Sequence, residues 1–110
     1  MPDVRDRLRT SLKAALKARD EVATAALRSA LSAIANAEAV PPPASKPRLG
    51  VGSGEAPRRE LSEAEVKAIL RAEIEEKQSA AGVYERLGEV EEARTLRAQV
   101  EFLNRLVSAQ

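Results

Sequence analysis

The sequence predicts an all-α protein made of two antiparallel helical hairpins, four helices in all, joined by a long connection rich in proline and glycine. Apolar residues recur three and four positions apart over most of the 110 residues, which is the spacing of one helix face. Residues 40–61 interrupt this pattern with three consecutive prolines and three glycines. The break at residues 18–20 is so short that the helices on either side of it must be neighbours.

The first hairpin contains helices predicted over residues 3–18 and 21–39. Asp3 and Asp20 stand where an N-cap side chain accepts a hydrogen bond from an unpaired backbone amide. Apolar residues at helical spacing form the inner faces of these two helices: Val4, Leu8, Leu12, Ala15, Leu27, Leu31 and Ile34.

The second hairpin contains helices predicted over residues 62–86 and 89–107, separated by a break at Gly88. Ser62 and Glu65 have the spacing of a capping box, in which each side chain accepts a hydrogen bond from the other residue's backbone amide. The fourth helix carries a heptad seam of apolar residues: Ala93, Leu96, Val100, Leu103 and Val107. This seam predicts that the helix packs against a partner helix at a shallow angle.

Small side chains dominate the apolar content of the chain. Hydrophobic residues make up 44% of it, but 21 of them are alanine, and Phe, Tyr and Met occur once each. This composition predicts a thin core, close-packed through small residues and marginal in a monomer of this length. The sequence therefore makes a homo-oligomer one of the expected states.

Charge and residue types limit the chemistry. Residues 1–60 carry a net charge of +4 and residues 61–110 one of −3, so the N-terminal half suits an anionic partner. The chain has neither Cys nor His, which excludes disulfides, thiolate nucleophiles and the commonest general base. We therefore predict no metal and no cofactor. A signal-peptide pattern and an apolar run of membrane-spanning length are both missing, so we expect a cytoplasmic location and no membrane partner.

The connection at residues 40–61 contains the pattern G-x-G-x-G at positions 50–54. A nucleotide-binding loop of this kind needs a preceding strand and a helix that opens on its last glycine, and the sequence predicts neither. A flexible linker, the least ordered part of the chain, is the favoured interpretation. Its four basic residues leave a mobile anion-binding arm as the alternative: Lys46, Arg48, Arg58 and Arg59.

The first helix carries a stripe of basic residues at four-residue spacing: Arg5, Arg9, Lys13 and Lys17. Such a stripe can follow the phosphates of a nucleic acid, and these four residues are the candidate nucleic-acid-binding site. A solvated helix face is the favoured interpretation, because acidic residues lie nearby. Since no aromatic residue is interleaved to stack on bases, we do not expect recognition of base identity.

Charged residues also fall on predicted apolar faces. Glu38 lies on the inner face of the second helix, and Glu73 and Lys77 lie on that of the third at i,i+4 spacing. An isolated buried charge is too costly to keep, so each must be paired, and Arg28 is a further candidate partner. An internal salt-bridge network is the favoured interpretation, and a carboxylate–base site in a groove is the alternative. We assign no catalytic residue, because no base accompanies any Ser or Thr.

Three segments of the chain carry a resemblance to a known family: LRSALSAIANAEA (27–39), LSEAEVKAILRAEIEEK (61–77) and YERLGEVEEARTLRAQVEFLNRL (84–106). They resemble the YqeY-like family, whose domain is shared with the tail of the GatB subunit of the tRNA-dependent amidotransferase. Asn36 and Tyr84 are among the matching positions. With them, the candidates for the internal polar network or groove are Arg28, Asn36, Glu38, Glu73, Lys77 and Tyr84.

The resemblance implies the N-terminal helical part of such a domain and a tRNA-associated role. The family's tail subdomain, which is chiefly linked to tRNA contact, is absent from these 110 residues. The leading expectation is a non-catalytic accessory or interaction domain whose partner is tRNA or a tRNA-processing enzyme. A structural homo-oligomer without a nucleic-acid role is the alternative that the composition favours. A carbon–nitrogen ligase activity with glutamine as amide donor is implied by the family name alone and is the most remote interpretation.

Overall fold

The computed structural model describes residues 3–39 and 60–108 and shows four α-helices and no strand in these ranges. They are α1 (Val4–Ala18), α2 (Glu21–Glu38), α3 (Glu63–Arg86) and α4 (Val90–Ser108). The all-α prediction is confirmed, and every helix begins and ends within one residue of its predicted bounds. None of these helices is both long enough and apolar enough to cross a membrane. The glycine pattern and the four basic residues of the connection lie outside the described residues.

Side-chain caps explain where three of the helices begin. Asp3 and Asp20 each accept a hydrogen bond from the backbone amide three residues later, at 2.8 and 3.1 Å. Ser62 and Glu65 form the capping box, with their reciprocal hydrogen bonds at 2.8 and 3.1 Å. Each cap satisfies amides that have no partner inside the helix, and one such residue contributes about 1 kcal/mol.

A left-handed residue terminates α1 and another terminates α3. Arg19 has a φ of 58° and Gly88 a φ of 80°. After α3, the amide of Gly88 bonds the carbonyl of Glu85 at 3.1 Å, and the amide of Glu89 bonds the carbonyl of Tyr84 at 2.8 Å. This is a Schellman motif, in which two carbonyls left over at the helix end accept bonds from the residues that follow. The chain is thereby turned away from the helix axis at each position.

The core lies between all four helices and is filled by aliphatic side chains. The largest fully buried ones come from every helix: Leu8, Leu27, Ile34, Leu70 and Leu103. On α2 they are accompanied by buried alanines, namely Ala23, Ala26 and Ala30. Alanine allows helix backbones to approach closely, so α2 packs against each of the other three helices.

The heptad seam of α4 is covered within the chain. Ala93, Val100 and Leu103 are buried, and Leu96 and Val107 are partly buried. The helices that cover this face are α3 and α2. The partner helix that the seam predicts is therefore supplied by the same molecule.

Four helix termini meet at one end of the bundle, which we call the linker end because residues 39 and 60 lie there. The backbone amide of Val4 donates a hydrogen bond to Glu63 Oε2 at 2.9 Å, which joins the start of α1 to the start of α3. Arg7 Nη2 donates to the carbonyl oxygen of Leu106 at 3.3 Å, near the end of α4. An ion pair joins the start of α1 to the last residue of α2.

Candidate functional site

A polar cluster joins the middle of α2 to the middle of α3. The Ser29 hydroxyl donates a hydrogen bond to Glu73 Oε2, and Lys77 Nζ lies 3.8 Å from the same oxygen. The Glu73 and Lys77 side chains are each only 13% exposed, so both charges are largely withdrawn from water and compensate each other. Because the carboxylate is bonded from two helices, this cluster holds α2 and α3 in one register.

Ser29 is the member of this cluster that sequence reasoning misses. The i,i+4 spacing of Glu73 and Lys77 predicts their pairing, which the structure shows. Ser29 lies three residues after Ala26 and one before Ala30, both fully buried on α2. A hydroxyl beside an alanine-lined helix face indicates a polar contact with another helix, since a partly buried hydroxyl needs a hydrogen-bond partner.

A second polar cluster lies at the linker end. Glu38 forms an ion pair with Arg5 of α1, and their side chains are 18% and 22% exposed. The Arg5 Nε atom is buried and has no hydrogen-bond partner among the described residues. Glu38 therefore stands apart from Ser29, Glu73 and Lys77, and the single network that the sequence predicts is divided into two clusters.

The other three predicted members of the network lie outside both clusters. Arg28 and Asn36 are exposed on α2, and Tyr84 is 36% exposed near the end of α3. Arg28 follows the buried Leu27, but consecutive residues of a helix point about 100° apart. That rotation turns Arg28 to solvent. Ser29 is instead the residue of α2 that bonds Glu73.

The basic stripe of α1 is also divided. Arg9, Lys13 and Lys17 are exposed, whereas Arg5 turns inward to Glu38. We call Arg9, Lys13 and Lys17 the basic face of α1. Arg9 Nη1 lies 4.0 Å from Asp6 Oδ1, and such an exposed pair contributes little. The three cations of the basic face are therefore available to an external anion.

Two surface grooves are formed by described residues on α3 and α4. One, of about 350 Å³, is lined by Arg71, Ile74, Glu75, Gln78, Asn104, Val107 and Ser108. The other, of about 290 Å³, is lined by Tyr84, Glu91, Glu92, Thr95 and Leu96. Tyr84 is the predicted site residue that lines one of them. Glu38, Glu73 and Lys77 line neither, so the structure does not combine the predicted carboxylate and amine groups with either groove.

An exposed ion pair connects α3 to α4 near their shared turn. Arg97 donates from Nε and Nη2 to the two carboxylate oxygens of Glu85, at 3.1 and 2.9 Å. These two hydrogen bonds hold the pKa of Glu85 below its ordinary value and raise the pKa of Arg97. No helical spacing predicts this pair, because the chain reverses between its members.

The described residues contain no group of three metal-ligating side chains. Each of the two polar clusters joins two helices: Ser29 of α2 bonds Glu73 of α3, and Arg5 of α1 pairs with Glu38 of α2. No family model, curated protein or solved structure matches the chain. Membership of the YqeY-like family therefore stays a prediction from the residue pattern.

Proposed function

We propose that this protein is a non-catalytic helical accessory domain that contacts RNA, with tRNA as the RNA class, through the basic face of α1. The observation that supports this proposal is the exposure of Arg9, Lys13 and Lys17 at four-residue intervals, about 6 Å of helix apart. Each exposed cation that meets a phosphate releases a counterion, which supplies affinity without base recognition.

The choice of tRNA as the RNA comes from the residue pattern shared with the YqeY-like family. The basic face supports contact with an RNA backbone in general, since its three cations are exposed and none is bonded to an internal carboxylate. Arg5 is excluded from the proposed surface, because Glu38 already neutralises it. The proposed site therefore has three residues, one fewer than the stripe in the sequence.

The non-catalytic part of the proposal is supported by the pairing of the charged groups. Glu73 is bonded by Ser29 and Lys77, and Glu38 is bonded by Arg5. A carboxylate held in this way stabilises packing, and its free energy of pairing is lost if it leaves its partner to react with a substrate. The same contacts disfavour the carbon–nitrogen ligase alternative, which has no other candidate residues.

A filter-binding titration with bulk tRNA over a series of salt concentrations tests the proposal. Reversing the basic face (R9E/K13E/K17E) should weaken binding strongly at low salt. Each lost phosphate contact should reduce the slope of log Kobs against log salt by about 0.7 to 0.9. The matched control is R71E/R86E/R105E, which changes the net charge equally at three exposed arginines of α3 and α4. Circular dichroism should show both variants to be as helical as the natural chain.

Two results would contradict the proposal. One is undetectable binding of the natural chain at low salt, which would favour a structural protein without a nucleic-acid role. The other is equal weakening by the control variant, which would show that net charge and not the basic face governs binding. A cytoplasmic location belongs to the same proposal, since it places the protein where tRNA is used.

The proposed architecture is two antiparallel hairpins, α1–α2 and α3–α4. It is supported by the contacts at the linker end, where the starts of α1 and α3 meet the ends of α2 and α4. Straight helices then place the end of α1, the start of α2, the end of α3 and the start of α4 together at the opposite end. We call this opposite end the turn end.

A further inference from the structure

Exposed apolar side chains are concentrated at the turn end. In the described part of the chain, five large hydrophobic residues are exposed, and all belong to this end: Leu16 (47%), Val83 (43%), Tyr84 (36%), Leu87 (68%) and Val90 (56%). The linker end is instead closed by hydrogen bonds and an ion pair. Large exposed apolar side chains gathered at one end of a small protein are typical of an interaction surface.

This surface has two parts of opposite charge. The first is the end of α1, where Leu16 is surrounded in sequence by Lys13, Lys17 and Arg19, all exposed. Two exposed carboxylates, Asp20 and Glu21, follow directly, so the cations remain in excess. The end of α1 is therefore apolar and basic.

The second part is the tip formed by α3 and α4, residues 83–92, where the other four exposed apolar side chains lie. Glu85 is neutralised by Arg97 and Glu91 is paired with Arg94. The remaining carboxylates, Glu89 and Glu92, outnumber the one remaining cation of the tip, Arg86. The groove beside the tip contains two carboxylates and no basic residue in its lining. The tip is therefore apolar and acidic.

The two parts of the turn end also differ in their distance from the contact between α2 and α3. Ser29 and Glu73 lie side by side. From Glu73, α3 continues about 20 Å to Arg86, whereas from Ser29, α2 runs back only about 12 Å to Glu21. Measured from this contact, α3 therefore extends about 8 Å farther toward the turn end than α2 does. One copy of the turn end accordingly offers a projection and a recess with opposite charges.

We propose that the turn end binds a second copy of this chain about a two-fold axis, with the acidic tip of each copy seated on the basic end of α1 of the other. A two-fold axis uses the same surface twice, so the projection of each copy enters the recess of its partner. The contact covers Leu16 and the apolar tip and places Lys13 and Lys17 beside Glu89 and Glu92, so dimer formation and RNA binding compete for these two lysines. A standard interface contains about 20–30 residues of all types on each side, and five exposed apolar side chains per copy indicate a smaller contact. We therefore expect a weak dimer, with a Kd on the order of 10–100 μM.

Sedimentation velocity over about 5 μM to 1 mM measures this association, where dimers double the 11.8 kDa mass of the chain. Leu87→Lys removes the most exposed apolar side chain and places a cation against a basic surface, and should raise Kd at least about tenfold. The matched control is Ala68→Lys, which introduces the same cation at an exposed position of α3 nearer the linker end. It should leave Kd unchanged. A natural chain that stays monomeric at 1 mM, or a dimer that Leu87→Lys does not weaken, would overturn the proposal.

Charge reversal tests the arrangement within the dimer. E89K/E92K makes both surfaces of a copy basic, and K13E/K17E makes both acidic, so each variant alone should lose about tenfold or more in affinity. An equimolar mixture of the two should regain the affinity of the natural chain, because each tip then meets an end of α1 of opposite charge. Dimerisation of K13E/K17E alone at the natural affinity, or no recovery in the mixture, would overturn the tip-to-α1 arrangement. Circular dichroism of every variant separates loss of association from loss of helix.

Discussion

Arg5 near the start of α1 is ion-paired with Glu38 at the end of α2, across 33 positions of sequence. Their side chains are 22% and 18% exposed, so the pair is largely covered by the bundle. The contact joins the start of α1 to the end of α2 at the linker end. It also removes the first cation of the α1 stripe from the surface that an RNA could reach.

We therefore expect Arg5 and Lys13 to respond oppositely to neutralisation. Arg5→Met should lower the free energy of unfolding by about 1–2 kcal/mol, because the largely buried Glu38 carboxylate is left without its partner. Its affinity for tRNA should stay within twofold of the natural chain. Lys13→Met should leave stability within about 0.5 kcal/mol and weaken tRNA binding, since Lys13 is exposed. Urea denaturation measures the free energy of unfolding, and filter binding measures the affinity for tRNA. An equal loss of affinity in both variants would mean that Arg5 also contributes to the binding surface.

The cluster of Glu73 and Lys77 predicts non-additive effects on stability. Glu73→Leu and Lys77→Met each strand a charge whose side chain is 13% exposed in the natural protein, so each should cost about 1–3 kcal/mol. The double variant strands neither charge and should be less destabilised than the sum, by about 1 kcal/mol or more. Urea denaturation of the four proteins gives the interaction energy. Additive losses would mean that the two side chains do not compensate each other.

The pH dependence of the Glu85–Arg97 pair has a definite sign. The hydrogen bonds from Arg97 keep the pKa of Glu85 in the folded protein below its value in the unfolded chain. The stabilisation from the pair is therefore present above the unfolded pKa and is lost as the pH falls through the lower, folded pKa. A ¹³C NMR titration of the Glu85 carboxyl should show a higher midpoint in Arg97→Gln. Arg94→Gln, which breaks the exposed pair with Glu91, should leave that midpoint unchanged.

Backbone conformation at the two turns predicts opposite effects of glycine. Gly88→Ala should destabilise the protein by about 1 kcal/mol, because φ is 80° there. A Cβ atom at Gly88 would meet nothing within 4 Å, so the cost comes from the backbone and not from a clash. Arg19→Gly relieves a φ of 58° and should stabilise by a similar amount. The control is Gly82→Ala inside α3, which should stabilise by about 0.5–1 kcal/mol through helix propensity. Thermal unfolding of the three variants measures these signs.

The bounds of the helices could be predicted from the sequence, because they depend on residues that are close together in the chain. Asp3, Asp20 and the Ser62–Glu65 box act over three residues, and Gly88 acts on its own backbone. The pairing of Glu73 with Lys77 is likewise local, since residues four apart share one side of a helix. Such short-range rules need no knowledge of how the helices are arranged.

The contacts of the candidate site were harder to predict from the sequence, because they join residues of different helices. The sequence placed Arg28 and Glu38 with Glu73, and the structure instead brings Ser29 to Glu73 and Arg5 to Glu38. A partner on another helix depends on the rotation of that helix about its axis, and one residue corresponds to about 100°. An apolar pattern defines the inner face too broadly to decide between neighbours such as Arg28 and Ser29.

The sequence by itself determined four helices, their caps, their breaks and a thin, alanine-rich core. All of these follow from interactions within a few residues and from side-chain volume. Only the tertiary structure decided that α2 and α3 cover the seam of α4 and that Arg5 faces inward. It also placed the exposed apolar side chains in the terminal turns of α1 and α3 and the first turn of α4. The physical reason is that helix rotation and register are set by the packing of the whole bundle, in which distant residues compete for the same buried space.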